Sequence, residues 1–167
     1  MTSPEGTIRV EEPRDHAAIA DLLADAFEGL DEVRLVERLR AEVPEDYGPA
    51  LVAELDGAVV GFVALTRVRI GERALFALAP VAVLPAVQNL GIGSALVSHA
   101  VGLVTAPVVV LGDPAYYRRF GFEPALAYGV RSAWDASGDA WMIRWPDGAD
   151  TAAWEGTVRY PDAFSAV

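Results

Sequence analysis

Cysteine is absent from all 167 residues. No disulfide, no thiolate nucleophile and no cysteine-based metal site is therefore available to this chain. Histidine is nearly absent too: His16 and His99 are the only two, which argues against a histidine-rich metal site, and no metal is expected. Positive charge is sparse. The 13 Lys and Arg face 24 Asp and Glu, for a net charge of −11. Nonspecific nucleic-acid binding draws on clustered basic residues, so no nucleic-acid partner is expected. The acidic balance suits small cationic molecules better than anionic polymers. No apolar run reaches the roughly 20 residues that cross a bilayer. The opening Met1-Thr2-Ser3-Pro4-Glu5-Gly6 lacks the basic and apolar regions of a signal peptide. A cytoplasmic protein without membrane partners is expected.

What is present suffices for a substantial core, since 53% of the residues are hydrophobic, and the length fits one domain over residues 1–167. Thr7 to Glu11 alternates as a first strand. Pro13 opens a helix to about Phe27, with Ile19, Leu22, Leu23, Ala26 and Phe27 on one face. A second helix runs from about Asp31 to Glu42 and is closed by Pro44. Ala50–Leu55 and Val59–Ile70 read as strands joined by the hairpin signal Asp56-Gly57. Arg73–Leu84 is the next strand. Pro80 inside it cannot donate a ladder hydrogen bond, so a bulge or splay is expected there. A helix from Gly91 to about Thr105 and a buried strand after Pro107 follow. Shorter runs, Tyr128–Arg131, Ala140–Trp145 and Gly156–Tyr160, complete the chain. The order β-α-α-β-β-β-α-β-α-β predicts an α/β fold with a mixed sheet, antiparallel hairpins first and then a parallel crossover.

The most informative stretch is Val83-Leu84-Pro85-Ala86-Val87-Gln88-Asn89-Leu90-Gly91-Ile92-Gly93-Ser94-Ala95-Leu96. An apolar strand enters a loop with two glycines, and the loop enters a helix. Such a loop aims several backbone N–H groups at one spot, at the positive end of a helix dipole, which suits a phosphate or pyrophosphate. It is not a Walker loop, because no Gly-Lys-Ser/Thr follows. It is not the dinucleotide fingerprint either, since position 96 is Leu96 where a third glycine belongs. A second motif, Val108-Val109-Val110-Leu111-Gly112-Asp113-Pro114-Ala115-Tyr116-Tyr117-Arg118-Arg119-Phe120-Gly121-Phe122, reads as a buried strand, a short helix and a Gly-Phe exit.

The loop Gln-x-x-Gly-x-Gly, followed in order by Tyr-x-x-x-Gly-Phe, resembles the GNAT superfamily of N-acyltransferases, and the wording around Tyr117 is similar to a branch of predicted bacterial acetyltransferases. The resemblance covers residues 7–125 well and the rest weakly. It implies a central mixed sheet flanked by helices, with a splayed strand pair forming a wedge for acyl-CoA. It also implies acetyl-CoA as acyl donor, held by Gln88, Asn89, Leu90, Gly91, Ile92, Gly93 and Ser94 at the pyrophosphate and by the backbone of Ala82 and Val83 along the pantetheine arm. Tyr117 takes the role of general acid to the leaving thiolate, with Tyr116 as the competing choice.

Two departures from the family pattern matter. Asn89 stands where a cation or glycine is common, and Leu75-Phe76-Ala77-Leu78-Ala79-Pro80 carries no Glu where many members place a base. Asp113 reads first as a helix N-cap and second as a base. Arg118 and Arg119 stand between a phosphate contact and a solvated helix face. Glu28, Asp31 and Glu32 fall where the family often reads its acceptor, and Trp134, Trp141, Trp145 and Trp154 either cap the core or wall the acceptor site. The expected reaction is acetyl transfer from acetyl-CoA to a primary amine, by direct attack in a ternary complex. The alternative is a non-catalytic acyl-CoA-binding or sensor domain. A homodimer is compatible with either.

Overall fold

The computed structural model describes residues 6–134 and 138–166. The opening stretch weighed above as a leader therefore lies, apart from Gly6, outside the described residues. Strands β1 (Gly6–Val10), β2 (Tyr47–Leu55), β3 (Ala58–Ile70), β4 (Arg73–Val83), β5 (Val108–Leu111), β6 (Glu123–Pro124) and β8 (Trp141–Arg144) form one sheet in the order β1-β2-β3-β4-β5-β8-β6. The pairings β1–β2, β2–β3 and β3–β4 are antiparallel, β4–β5 is parallel, and β8 returns antiparallel to both β5 and β6. The hairpin meander followed by a parallel crossover is as the element order predicts. The C-terminal runs differ. Val130–Arg131 (β7) and Gly156–Thr157 (β9) make a separate two-stranded ribbon, tied to the main sheet by an isolated Arg69–Arg159 bridge and by the packing of Val130 and Val158 against Val68, Ile70 and Leu75.

Period-two alternation divides the core. Leu51, Ala53, Val63 and Leu65 face the helix α3 (Ile92–Gly102), together with its Leu96, Val97, Ala100 and Val101. Ala50, Val52, Phe62 and Ala64 face the other way, onto Ile19, Leu22 and Leu23 of α1 (His16–Phe27) and Val33 and Val36 of α2 (Asp31–Glu42). Strand β3 is covered on both faces, hence its nearly unbroken apolar run. The chain's end packs on the outer side of α2, where Ala163 and Phe164 join Leu35 and Leu39.

Two local features of the sheet place the site. The first is at Pro80. Val63 pairs with Val81 and Leu65 with Leu78, so Ala79 and Pro80 together oppose Ala64 in a bulge. Beyond it β4 leaves β5: the two strands pair only at Phe76–Val108 and Ala77–Val109. The wedge expected between them is present. The second feature is Gly61, against which α3 is seated. A Cβ there would lie 2.8 Å from Leu96 Cδ1, 3.0 Å from Ile92 Cγ2 and 3.3 Å from Ala53 Cβ. Gly61→Ala should therefore push the N-terminal half of α3 off the sheet and destabilise the fold by about 1–3 kcal/mol, the usual cost of overpacking. Urea denaturation checks this; an unchanged midpoint would mean that the helix slides freely.

Candidate active site

The loop between β4 and α3 is shaped by its own residues. Leu84 is followed by a short 3-10 turn at Pro85–Val87. Gln88 Nε2 then reaches back 3.2 Å to the Val83 carbonyl and ties the loop to the strand. Asn89 and Gly91 take positive φ, 71° and 82°, and Gly91 is the N-cap of α3. Glycine adopts that conformation without penalty. The first intrahelical bond runs from Ala95 N–H to Gly91 O at 3.0 Å, so the N–H groups of Ile92, Gly93 and Ser94 have no partner within the helix. They point into a cleft of about 670 Å³.

That cleft is the gap between β4 and the segment after β5. Val83, Gln88, Asn89, Gly91, Ile92, Gly93, Ser94 and Tyr117 line it. Two residues of the expected set stand apart. Leu90 directs its side chain to solvent and is 56% exposed. Ala82 is buried, and its backbone faces the wrong way for the cleft. Leu84 N–H bonds Val60 O at 2.9 Å, and the register pairs Phe62 with Ala82 and Gly61 with Val83. Backbone groups alternate sides along an antiparallel strand, so those of Ala82 face β3, whereas those of Val81 and Val83 face the open side. The extra bulge residue sets this phase.

Tyr117 sits at the end of a short helix α4 (Pro114–Tyr117). Asp113 starts that helix: its Oδ1 accepts the Ala115 N–H at 3.0 Å, so it caps the helix. The Tyr117 ring packs edge-on to Phe122 at 5.6 Å between centroids and to Tyr116 at 5.0 Å. It also lies over Gly112, where a Cβ would come within 2.5 Å of its ring. Its hydroxyl has no protein partner among the described residues. Burial, with the neighbouring Tyr116 adding to it, pushes the phenol up to about 12.

The residues that sequence reasoning left open now have places. Tyr116 lines the same cleft, its hydroxyl 3.5 Å from Ser94 Oγ, while its ring packs on Tyr117 and Phe120. The Arg119 guanidinium lies over the Tyr116 ring at 4.8 Å and donates to Ser94 Oγ at 2.7 Å. It brings to the α3 N-terminus the positive charge that Asn89 lacks, from 25 residues downstream. Arg118 lies on the exposed face of its turn. Among the described residues no cluster of three or more His, Asp or Glu could hold a metal, and no helix is long and apolar enough to cross a membrane.

A second cavity of about 310 Å³ lies on the α1–α2 side of the seam and shares Val81 and Tyr117 with the first. Of the acidic trio, Glu32 lines it and Glu28 and Asp31 do not. None of the four tryptophans reaches it. Trp141 is core, donating to Val130 O at 2.9 Å, and the aromatic walls are Phe27, Tyr117 and Phe164.

The family model described as "Acetyltransferase (GNAT) domain" matches residues 46–124, the segment that carries β3, β4, the loop and Tyr117. An Escherichia coli K12 protein named "Uncharacterized N-acetyltransferase YhbS" is 36% identical over 166 residues, covering 95% of this chain and 98% of its own length. The crystal structure of YhbS from Escherichia coli in complex with CoA superposes with a TM-score of 0.90 at 33% identity, covering 99% of this chain and 96% of the other. A GNAT family acetyltransferase from Brucella melitensis, solved with acetyl-CoA, gives a TM-score of 0.78 at 33% identity, covering 96% and 99%.

Proposed function

This chain belongs to the GNAT acetyltransferase family, and on that premise we propose that it transfers an acetyl group from acetyl-CoA to a primary amine by direct attack within a ternary complex. One observation carries the reading. A helix N-terminus with unpaired N–H groups and a half-buried tyrosine face each other across one unpaired strand edge.

The fit to the donor follows from the residues. The N–H groups of Ile92, Gly93 and Ser94 and the Arg119 guanidinium suit a diphosphate. The open backbone groups of Val81 and Val83 suit the amides of the pantetheine arm. When bound, acetyl-CoA supplies an activated thioester carbonyl. A backbone N–H of β4 near Val83 polarises that carbonyl. Tyr117 holds a proton for the sulfur as the C–S bond breaks and the amine nitrogen forms its bond to the acetyl carbon. The proton shed by the attacking nitrogen restores the phenol, so the products are an acetamide and free CoA thiol. Strand β4 supplies no carboxylate at this point, and the nucleophile is the neutral amine.

The decisive experiment offers acetyl-CoA and a pool of primary amines to purified protein and reads free CoA thiol. Thiol release that depends on the amine supports the reading. Tight acetyl-CoA binding without release supports the non-catalytic acyl-CoA-binding alternative.

The pH profile separates Tyr117 from other acids. An acid works while protonated, and the Tyr117 phenol keeps its proton to about pH 12. A primary amine gains its neutral form as pH rises toward about 10. The value of kcat/KM should thus climb from about pH 7 to about pH 10.5 without a falling limb, whereas an unperturbed phenol would begin to fail near 10. A descent that begins at about pH 8–9 would assign the proton to another group.

A further inference from the structure

We propose that the acceptor is a monoamine with an apolar body, such as an alkylamine or arylalkylamine, and that Glu32 and Phe164 select it. The inference rests on the transferase reading and deepens it. The cavity on the α1–α2 side is the place for an acceptor because it meets the donor cleft at Val81 and Tyr117 and touches it nowhere else along its lining.

Three properties of that cavity set the acceptor's chemistry. Its size, about 310 Å³, is at the small end of ligand sites, too confined for an oligosaccharide or a folded protein segment. Its walls are more apolar than polar, with Phe27, Leu35, Leu78, Val110 and Phe164 among them. Its charge is a single carboxylate, Glu32, half-buried in the first turn of α2, with no ion-pair or hydrogen-bond partner among the described residues. Charge counting then decides between acceptors. One carboxylate matches one ammonium group, which gives its extra proton up to solvent before the nitrogen attacks. A polyamine or an aminoglycoside would bring further ammonium or hydroxyl groups against apolar walls, and each unpaired polar group costs binding energy. An acidic amine would place a carboxylate beside Glu32 and be repelled. An alkyl or aryl body, by contrast, gains from the walls in proportion to the area it buries.

Phe164 was outside any motif. It comes from the 3-10 turn Asp162–Ala166 at the end of the chain, which closes over α2. The tail thus supplies a wall to a pocket whose other lining residues fall between Phe27 and Tyr117.

The test is a panel of 2-phenylethylamine, hexylamine, ethanolamine, spermidine, kanamycin and glutamate, each offered with acetyl-CoA and scored by free CoA thiol. All 13 basic residues are arginine, so no lysine side chain of the enzyme competes as acceptor. Hexylamine and 2-phenylethylamine should exceed spermidine, kanamycin and ethanolamine in kcat/KM by roughly tenfold or more. Glu32→Gln should raise KM for hexylamine by roughly tenfold and leave the acetyl-CoA Kd unchanged. Phe164→Ala should lower kcat/KM for 2-phenylethylamine more than for ethanolamine. A preference for spermidine, kanamycin or glutamate, or an unaltered KM in Glu32→Gln, overturns the assignment. The binding arm is hexylamine titrated into CoA-loaded protein by calorimetry. Hexylamine binding that Glu32→Gln weakens, without turnover of any amine, rejects the transferase reading and keeps the pocket assignment. Neither binding nor turnover rejects the pocket assignment, and acetyl-CoA affinity then reports separately on the donor site.

Discussion

Gly93→Val should abolish measurable acetyl-CoA binding in a protein that still folds. Gly93 has an ordinary place in the first turn of α3, and a Cβ there would sit 3.3 Å from Tyr116 Oη and 3.5 Å from Val83 Cγ2. Those two atoms belong to opposite walls of the cleft. The valine methyl groups would fill the space where a diphosphate must approach the backbone. Helix propensity does not suffer, since glycine is about 1 kcal/mol worse than alanine within a helix and valine less so. An affinity loss of roughly 100-fold or more, about 2.7 kcal/mol, is expected by calorimetry, with little change in the thermal midpoint. Gly91→Ala is the instructive contrast. Its Cβ would meet nothing within 4 Å, but its φ of +82° is left-handed. That variant should lose about 1 kcal/mol of stability and keep more of its affinity. A folded Gly93→Val protein with native affinity would remove the loop from the donor site.

The second large effect is expected at the tyrosine. Tyr117→Phe keeps the ring that packs on Phe122 and covers Gly112, and removes only the hydroxyl. That hydroxyl has no protein partner among the described residues, so its loss leaves no orphaned donor or acceptor behind. Stability and acetyl-CoA affinity should therefore hold, while kcat falls by roughly 10²-fold, the low end of general acid effects. Tyr116→Phe should behave in the opposite way. Its hydroxyl lies 3.5 Å from Ser94 Oγ beside Arg119, so its effect should fall on donor affinity, with kcat nearly native. Equal turnover of wild type and Tyr117→Phe would return this residue to packing.

How much of this was legible beforehand depends on the range over which each feature is encoded. The glycine loop, the caps at Asp113 and Gly91, and the bulge at Pro80 are local, and local chemistry reads directly from neighbouring residues. The alternation of Ala50 to Ala53 and of Phe62 to Leu65 likewise reveals two covered faces. Which backbone edge of β4 is open is a different matter. It depends on strand register and on a one-residue slip at the bulge, so the backbone groups on the open edge are those of Val81 and Val83, while those of Ala82 face β3. The Arg119–Ser94 contact spans 25 residues, and the cavity that both Glu32 and Phe164 line joins residues from most of the chain. No periodicity encodes a contact at such separations. The C-terminal runs Tyr128–Arg131 and Gly156–Tyr160 shorten in the structure to Val130–Arg131 and Gly156–Thr157, which are held by two residue pairs far apart in the sequence.

The parting of β4 and β5 has a mechanical consequence. The seven-stranded sheet is two plates, β1 to β4 and β5-β8-β6, riveted by two residue pairs at one end. Every other seam within β1 to β4 runs for at least five pairs. A ligand whose own amides bridge the gap acts as a replacement rung between the plates, so occupancy and rigidity become one quantity. Its binding free energy adds to the free energy that holds the plates together.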